Sequence, residues 1–137
     1  MSPVVQAFAA GFPVALEHAG ASLAFLIVGA VLYALLTPYK EIQAIREGNA
    51  AAAVSYGGVL VGLAGPLAIS MMTATSLEEL ALWGGGVTLI SLISFRIVDL
   101  LLTGLPQRAQ EGEVSAAVLL VAAKLAVAML IAAALPG

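Results

Sequence analysis

Charge is what this sequence lacks most. Only 9% of its 137 residues are Asp, Glu, Lys or Arg, whereas a soluble domain carries about 25%. Hydrophobic residues make up 62% of the chain, so lipid must cover most of its surface. The five basic residues never cluster, which argues against nucleic-acid binding.

Residue types that commonly carry chemistry are also scarce. The chain has no cysteine, which excludes disulfides, thiolate metal sites and cysteine nucleophiles, and one chain has only His18 as a histidine ligand. No carboxylates show metal-ligand spacing and no nucleophile–base motif occurs. The run Gly84-Gly85-Gly86 lies in an apolar segment, which is typical of helix packing rather than of a phosphate loop. These absences predict no metal, no cofactor and no enzymatic activity.

Apolar runs are what the sequence has instead. Four segments reach the length of about 20 residues that a bilayer requires. They predict an all-α integral membrane protein, one domain over residues 1–137, with four transmembrane helices arranged as two hairpins. A capping-box signature at Ser76 and Glu79 precedes the third span. The spans are expected at about Glu17 to Leu36, Asn49 to Met72, just after Ser76 to Thr103, and Glu113 to Leu135.

The segment before the first span is apolar and contains two prolines. Pro3 and Pro13 argue against one long helix here, so a short interfacial segment is expected to lead into the span. No Lys or Arg precedes Leu16, so we expect this segment to be retained rather than cleaved as a signal peptide.

The sequence reads as two copies of one helical hairpin. At an offset of 64 residues Glu47-Gly48 falls on Glu111-Gly112, and several alanines of the following helices match as well. Alanine-rich helices also match by chance, but here the charged residues fall in register too. The copies cover about residues 13–72 and 77–135. Since each contains two spans, the repeats are expected to be parallel rather than inverted.

Small residues recur at helical spacing in both copies. Gly58 and Gly62, with Gly65 beyond them, form a GxxxG face, and Ala122 and Ala126 occupy the matching positions of span four. Without bulky side chains two helix backbones can approach closely in lipid. We expect these residues to pack helix against helix, either within one subunit or between subunits.

The basic residues predict the orientation in the membrane. Lys40 and Arg46 follow the first span and Arg108 follows the third, whereas the loop that contains Glu78 and Glu79 has no cation. The positive-inside rule therefore places the first and third loops in the cytoplasm and both termini outside. Three aromatic residues fit interfacial belts at the span ends: Trp83, Tyr33 and Tyr39.

The two cytoplasmic loops have two interpretations. In the first loop, Ile42 and Ile45 lie three residues apart among polar residues, which suits one or two helical turns on the inner surface. The second loop, over residues 104–113, is a more degenerate copy. These loops are either surface turns with glycine hinges or a docking surface for a cytoplasmic partner. Their hinge residues are Glu47, Gly48, Asn49, Glu111 and Gly112.

Three charged residues lie inside the predicted spans. Arg96 and Asp99 are three residues apart, so they can pair on one helix face. Lys124 lies near mid-depth of span four, where a lysine costs on the order of 3 kcal/mol, so it needs a partner such as Asp99. Position 124 lies about 200° around the helix from Ala122 and Ala126. If those alanines pack within the subunit, Lys124 is expected to face a neighbouring subunit or a central space.

Glu17 and His18 lie at the predicted outer end of the first span. They are either an ordinary helix start, where Glu interacts favourably with the helix dipole, or an outer mouth that collects ions or protons.

The segment from Glu47 to Val54, followed by Gly58, Gly62 and Ala64, resembles a known bacterial family. This is the YjfL/YshE-like group of small inner-membrane proteins, a duplicated two-span domain of unknown function. Glu113 departs from the pattern, because a second Asn is expected there. The resemblance implies an inner-membrane protein linked by gene neighbourhood to envelope-stress coat proteins and polyamine-type enzymes, and it implies no catalytic residues.

Two functions follow as alternatives. The first is a homo-oligomeric channel- or transporter-like subunit whose polar region contains Lys124, Asp99 and Arg96. The second is a non-conducting scaffold whose inner loops recruit a cytoplasmic envelope-stress partner. A polar central cavity lined by Lys124 would favour conduction, whereas Lys124 buried against Asp99 within one subunit would favour a scaffold.

Overall fold

The computed structural model describes residues 2–136, and every regular element in that range is a helix, as predicted. Four helices are long and apolar enough to cross a membrane, and two short helices of six residues lie between them. In chain order they are α1 (Pro3–Leu36), α2 (Glu41–Arg46), α3 (Ala50–Thr73), α4 (Leu77–Leu101), α5 (Leu105–Gln110) and α6 (Val114–Ala134).

Polar side chains cap the starts of three membrane helices, the first being Ser2 at α1, which accepts a hydrogen bond from the Val5 N–H at 3.3 Å. The Asn49 side chain accepts a hydrogen bond from the Ala52 N–H at 3.0 Å, and Ser76 accepts one from the Glu79 N–H at 3.1 Å. Each bond satisfies a backbone donor that has no partner within its helix. The Glu79 carboxylate reaches back to the Thr75 hydroxyl at 2.7 Å. The cap predicted at Ser76 is therefore confirmed, and Asn49, which was predicted as a hinge residue, caps α3.

The first helix corrects the expectation of a short interfacial segment. α1 is continuous over 34 residues from Pro3 to Leu36, with Pro13 inside it. Pro3 sits in the first turn, where its missing N–H is not needed, and Pro13 removes only the bond to the carbonyl of Ala9. At 1.5 Å per residue α1 is about 51 Å long, well above a hydrocarbon core of about 30 Å. Its first half is almost wholly exposed.

The two short helices end in the same way. Gly48 and Gly112 both adopt a left-handed conformation, with φ of 91° and 98°. The residue after each glycine donates its N–H to a carbonyl five residues earlier, from Asn49 to Ala44 and from Glu113 to Arg108. This is the Schellman cap that glycine favours. The two halves thus share the order long, short, long helix, and the parallel duplication stays a prediction.

Helices α3 and α6 pack along each other more extensively than any other pair. Gly58 is at this contact, because a Cβ there would lie 2.6 Å from a methyl carbon of Val121. Gly62 meets α4 instead, since its Cβ would lie 2.7 Å from the ring of Phe95. Close packing by Gly58 and Gly62 within one chain therefore matches the expectation.

The other three small residues do not pack inside the chain. Gly65 is exposed, and a Cβ there would meet nothing within 4 Å. Ala122 and Ala126 are exposed as well, because α6 buries a different stripe that contains Leu120, Lys124 and Ala128. Their expected packing within the subunit is wrong, and packing between subunits stays a prediction.

The Gly58 contact gives a matched pair of substitutions. Gly58→Ala is expected to destabilise the bundle by about 1–3 kcal/mol, because the new methyl group overpacks against the stiff Val121 side chain. Gly57→Ala is the control, since a Cβ there meets nothing within 4 Å. Thermal unfolding of the purified protein in detergent measures both. Equal melting temperatures for the two variants would contradict the proposed contact, and Val121→Ala should restore stability to Gly58→Ala.

Candidate functional site

Three buried polar side chains from three membrane helices meet inside the bundle. The Lys124 ammonium of α6 lies 2.7 Å from Asp99 Oδ1 of α4 and donates to the Tyr33 hydroxyl of α1 at 2.6 Å. The Tyr33 hydroxyl donates in turn to Asp99 Oδ2 at 2.5 Å. The approach of Lys124 to Oδ1 is an ion pair that lies outside hydrogen-bond geometry. The result is a closed triangle of contacts.

Helix direction explains how residues at different depths meet. A side chain on a helix points back toward the N-terminus of that helix. Successive spans run in opposite directions, so Lys124 on α6 and Asp99 on α4 reach toward each other. The two side chains together span the roughly 10 Å along the bundle axis that separates the backbone positions of Lys124 and Asp99.

Arg96 adds a second cation to the same carboxylate. Its Nη1 donates to Asp99 Oδ2 at 3.2 Å, and its side chain remains 25% exposed, against 1% for Lys124. Two cations thus share one carboxylate, as the spacing of these residues predicts. Tyr33, Arg96, Asp99 and Lys124 are called the buried cluster below.

Glu41 brings a further carboxyl group close to the buried cluster. It lies in α2, is only 5% exposed, and its Oε1 accepts a hydrogen bond from the Gln110 side chain at 3.3 Å. Its Oε2 is buried and has no hydrogen-bond partner among the described residues. Burial raises the pKa of the Glu41 carboxyl from 4.5 to about 7; the positive charge of Lys124 opposes this shift and the charge of Asp99 adds to it.

The two short helices are tied together beside Glu41. The Asn49 amide donates to the backbone carbonyl of Gln110 at 2.7 Å, while the Gln110 side chain contacts Glu41. Two carboxylates of the predicted hinge accept hydrogen bonds from glutamines of the short helices that precede them. Gln43 donates to Glu47 and Gln107 donates to Glu111, both at 3.3 Å. The end of the bundle formed by α2 and α5 is therefore one connected layer.

A polar pocket opens next to the buried cluster. It has a volume of about 190 Å³ and lies between the end of α1 and the turn that joins α4 to α5. Arg96 and Asp99 form its inner wall, and Tyr39 and Thr103 line it nearer the end of the bundle. The pocket therefore gives access to Asp99 from the side of α2 and α5.

The direction of Lys124 corrects one expectation. Its side chain faces α1 and α4 of the same chain, and not a neighbouring subunit or a central space. That direction was expected only if Ala122 and Ala126 formed the inner face of α6, and both are exposed. One chain encloses Lys124 by itself, so this lysine gives no argument for an oligomer.

Sequence reasoning also missed two members of the site. Tyr33 was expected in an interfacial belt, but it is 1% exposed and bridges Lys124 and Asp99. Glu41 was expected on a surface turn beside Ile42, yet Glu41 is buried and Ile42 is 44% exposed. No periodic pattern marks either residue. The only signal in the sequence was that the Lys124 ammonium inside a membrane span needs more polar partners than Asp99 alone can supply.

Glu17 and His18 lie away from the buried cluster. They sit in the middle of α1 rather than at its start, because the helix begins at Pro3. Glu17 is exposed and His18 half-buried. His18 precedes Tyr33 by about four helical turns, or roughly 22 Å. The outer mouth that these two residues were expected to form stays a prediction.

Comparison with known proteins identifies the family. Residues 7–135 match the family described as Domain of Unknown Function (DUF350). The chain belongs to this family. It is 31% identical over 86 residues to the inner membrane protein YjfL of Escherichia coli K12, covering 63% of this chain and 65% of YjfL. It is 32% identical over 76 residues to the transmembrane protein YshE of Bacillus subtilis, covering 56% and 57%.

These matches span less than two thirds of the length of each relative. No solved structure matches the chain. The family and the four apolar helices together make this an integral membrane protein.

The Lys124–Asp99 pair can be tested by substitution. Lys124→Met is expected to destabilise the bundle by about 3–5 kcal/mol, because it leaves Asp99 buried with too little positive charge nearby. Adding Asp99→Leu to Lys124→Met should restore much of this loss, and thermal unfolding in detergent measures the coupling. Lys40→Met is the control, since Lys40 is exposed. Additive effects of the two substitutions would show that the pair is not coupled.

Proposed function

We propose that this protein is a transporter-like subunit of a bacterial inner membrane that moves a small ion and catalyses no reaction. The location follows from YjfL, which is named as an inner membrane protein. The observation that carries the proposal is the buried cluster itself. Ionisable groups inside membrane segments are rare and are concentrated at ion pathways and proton relays.

Energetics support a role for the buried cluster beyond stability. Taking charges out of water costs several kcal/mol per ion, and apolar residues of similar volume often replace a buried pair without loss. The bundle already has an apolar core next to the buried cluster, with Val59, Leu63 and Phe95 fully buried. Stability alone therefore does not require three charges at this position.

The two sides of the buried cluster differ in access. The polar pocket reaches Arg96 and Asp99 from the end that carries α2 and α5, while buried apolar residues such as Leu92 and Phe95 lie beyond it. A site that is open on one side and closed on the other is one state of an alternating-access cycle. The positive-inside rule makes the open side cytoplasmic and places both termini outside.

A homo-oligomer is part of the proposal. Gly65, Ala122 and Ala126 are small residues that face outward in the single chain, and small residues allow close helix contacts between subunits in lipid. Gly65 also lines an apolar groove of about 400 Å³ between α3 and α6.

Ion flux through reconstituted protein tests the transporter proposal. Proteoliposomes that contain the wild-type protein are expected to pass ions faster than empty vesicles. Lys124→Leu and Asp99→Asn should change the rate or the selectivity by about tenfold or more, because each removes one charge from a site where the low dielectric makes charge interactions strong. Arg46→Met should leave both unchanged, because Arg46 is exposed and lines neither pocket beside the buried cluster. Unchanged flux and selectivity in Lys124→Leu would sink the proposal.

A scaffold is the alternative, and one observation favours it. Lys124 is buried against Asp99 within one chain, and this is the arrangement expected of a non-conducting scaffold. The connected layer of α2 and α5 would then be the surface that recruits a cytoplasmic partner. Scrambling the exposed residues of both short helices should abolish partner capture in a pull-down. Capture that survives this change would count against the scaffold.

A further inference from the structure

Among the residues that the structure describes, Glu41 is the one carboxyl group near the buried cluster that lacks a close partner. It is 5% exposed, its Oε2 has no hydrogen-bond partner among residues 2–136, and its Oε1 has a single contact at 3.3 Å. A buried carboxylate that is ionised normally accepts several hydrogen bonds or pairs closely with a cation. Glu41 has neither, so its surroundings favour the protonated form.

Charged and titratable groups act on Glu41 from each membrane helix around it. Lys124 of α6, Asp99 and Arg96 of α4, Tyr33 of α1 and Tyr56 of α3 all interact with it electrostatically. From α5 it meets the neutral amide of Gln110. With Glu41 ionised, two cations face two anions. With Glu41 protonated, the same group carries one excess positive charge.

A surface pocket borders Glu41 at the end of the bundle. This shallow pocket of about 360 Å³ runs along the turn between α1 and α2, and Glu41 forms part of its wall. Thr37 and the exposed Lys40 line the same pocket. The polar pocket that reaches Asp99 opens at the same end of the bundle, since Pro38 and Tyr39 line both.

We propose that Glu41 is a proton-binding site that exchanges with the α2 and α5 side and sets the net charge of the buried cluster. This inference rests on the proposed transport function and names the proton as the coupling ion. Binding adds one proton to the carboxylate and breaks no other bond. Transport then depends on pH through Glu41, because the charge that an ion meets at Arg96 and Asp99 changes with protonation.

Infrared difference spectroscopy of the protein in lipid bilayers tests the site directly. The wild-type protein is expected to show one carboxyl group that titrates near pH 7, in line with the raised pKa of Glu41. Glu41→Gln should abolish this signal. Glu47→Gln is the matched control, because Glu47 is an exposed carboxylate one residue beyond the same helix. It should leave the signal unchanged.

A second variant keeps the proposal falsifiable if Glu41→Gln does not fold. Gln110→Leu removes the one hydrogen bond to Glu41, so the titration midpoint should move to higher pH. A wild-type protein without a carboxyl group that titrates near neutrality would overturn the proposal, as would a signal that persists in Glu41→Gln.

The melting temperature gives an independent readout. Because the Glu41 pKa is raised in the folded state, the native protein binds the proton more tightly than the unfolded chain does. Its contribution to stability is therefore complete below pH 4.5 and is lost as the pH rises to about 7. This decline should be absent in Glu41→Gln and present in Glu47→Gln. Equal pH profiles of Glu41→Gln and wild type would contradict the inference.

The spectroscopic result and the flux result separate the two proposals. A carboxyl group that titrates near neutrality in a protein without ion flux would keep the proton site and remove the transport function. Flux without such a group would keep transport and remove Glu41 as its proton site.

Discussion

The Asp99 carboxylate is the point at which three membrane helices are joined. One oxygen faces the Lys124 ammonium at 2.7 Å, and the other accepts from Tyr33 at 2.5 Å and from Arg96 at 3.2 Å. In a low-dielectric interior the contacts of Asp99 with Lys124 and Tyr33 are strong, and the loss of either leaves a buried polar group without its partner. The relative positions of α1, α4 and α6 therefore depend on this carboxylate.

The rest of the fold places these groups without enclosing them in a pore. Gly58 lets α3 approach α6 closely, and Gly62 receives the ring of Phe95 from α4. These contacts fill the centre of the bundle, so the space that remains near the charges lies toward α2 and α5. The same short helices bury Glu41 there. A closed charged centre and an open polar end are thus two consequences of one packing arrangement.

Local sequence signals predicted the elements well. Length and hydropathy located the membrane helices, the Ser76 capping box marked the start of α4, and the predicted hinges at Gly48 and Gly112 lie at the ends of α2 and α5. Contacts across helices were harder to predict, because they depend on rotation about each helix axis. Depth alone suggested Asp99 for Lys124, but nothing local turned Tyr33 inward. The continuous α1 was missed because Pro13 removes only one bond in a long apolar helix.

The distance between Lys124 and Asp99 in lipid tests the central claim most directly. Asp99 is the only aspartate in the chain, and Lys40→Arg leaves Lys124 as the only lysine, so isotope labels on lysine Nζ and aspartate Cγ report one pair. Solid-state NMR of bilayer samples should show a strong dipolar coupling when one chain carries both labels. It should show none when the two labels are on different chains in a mixed sample. A coupling seen only between chains, or in neither sample, would contradict a charged cluster closed within one chain.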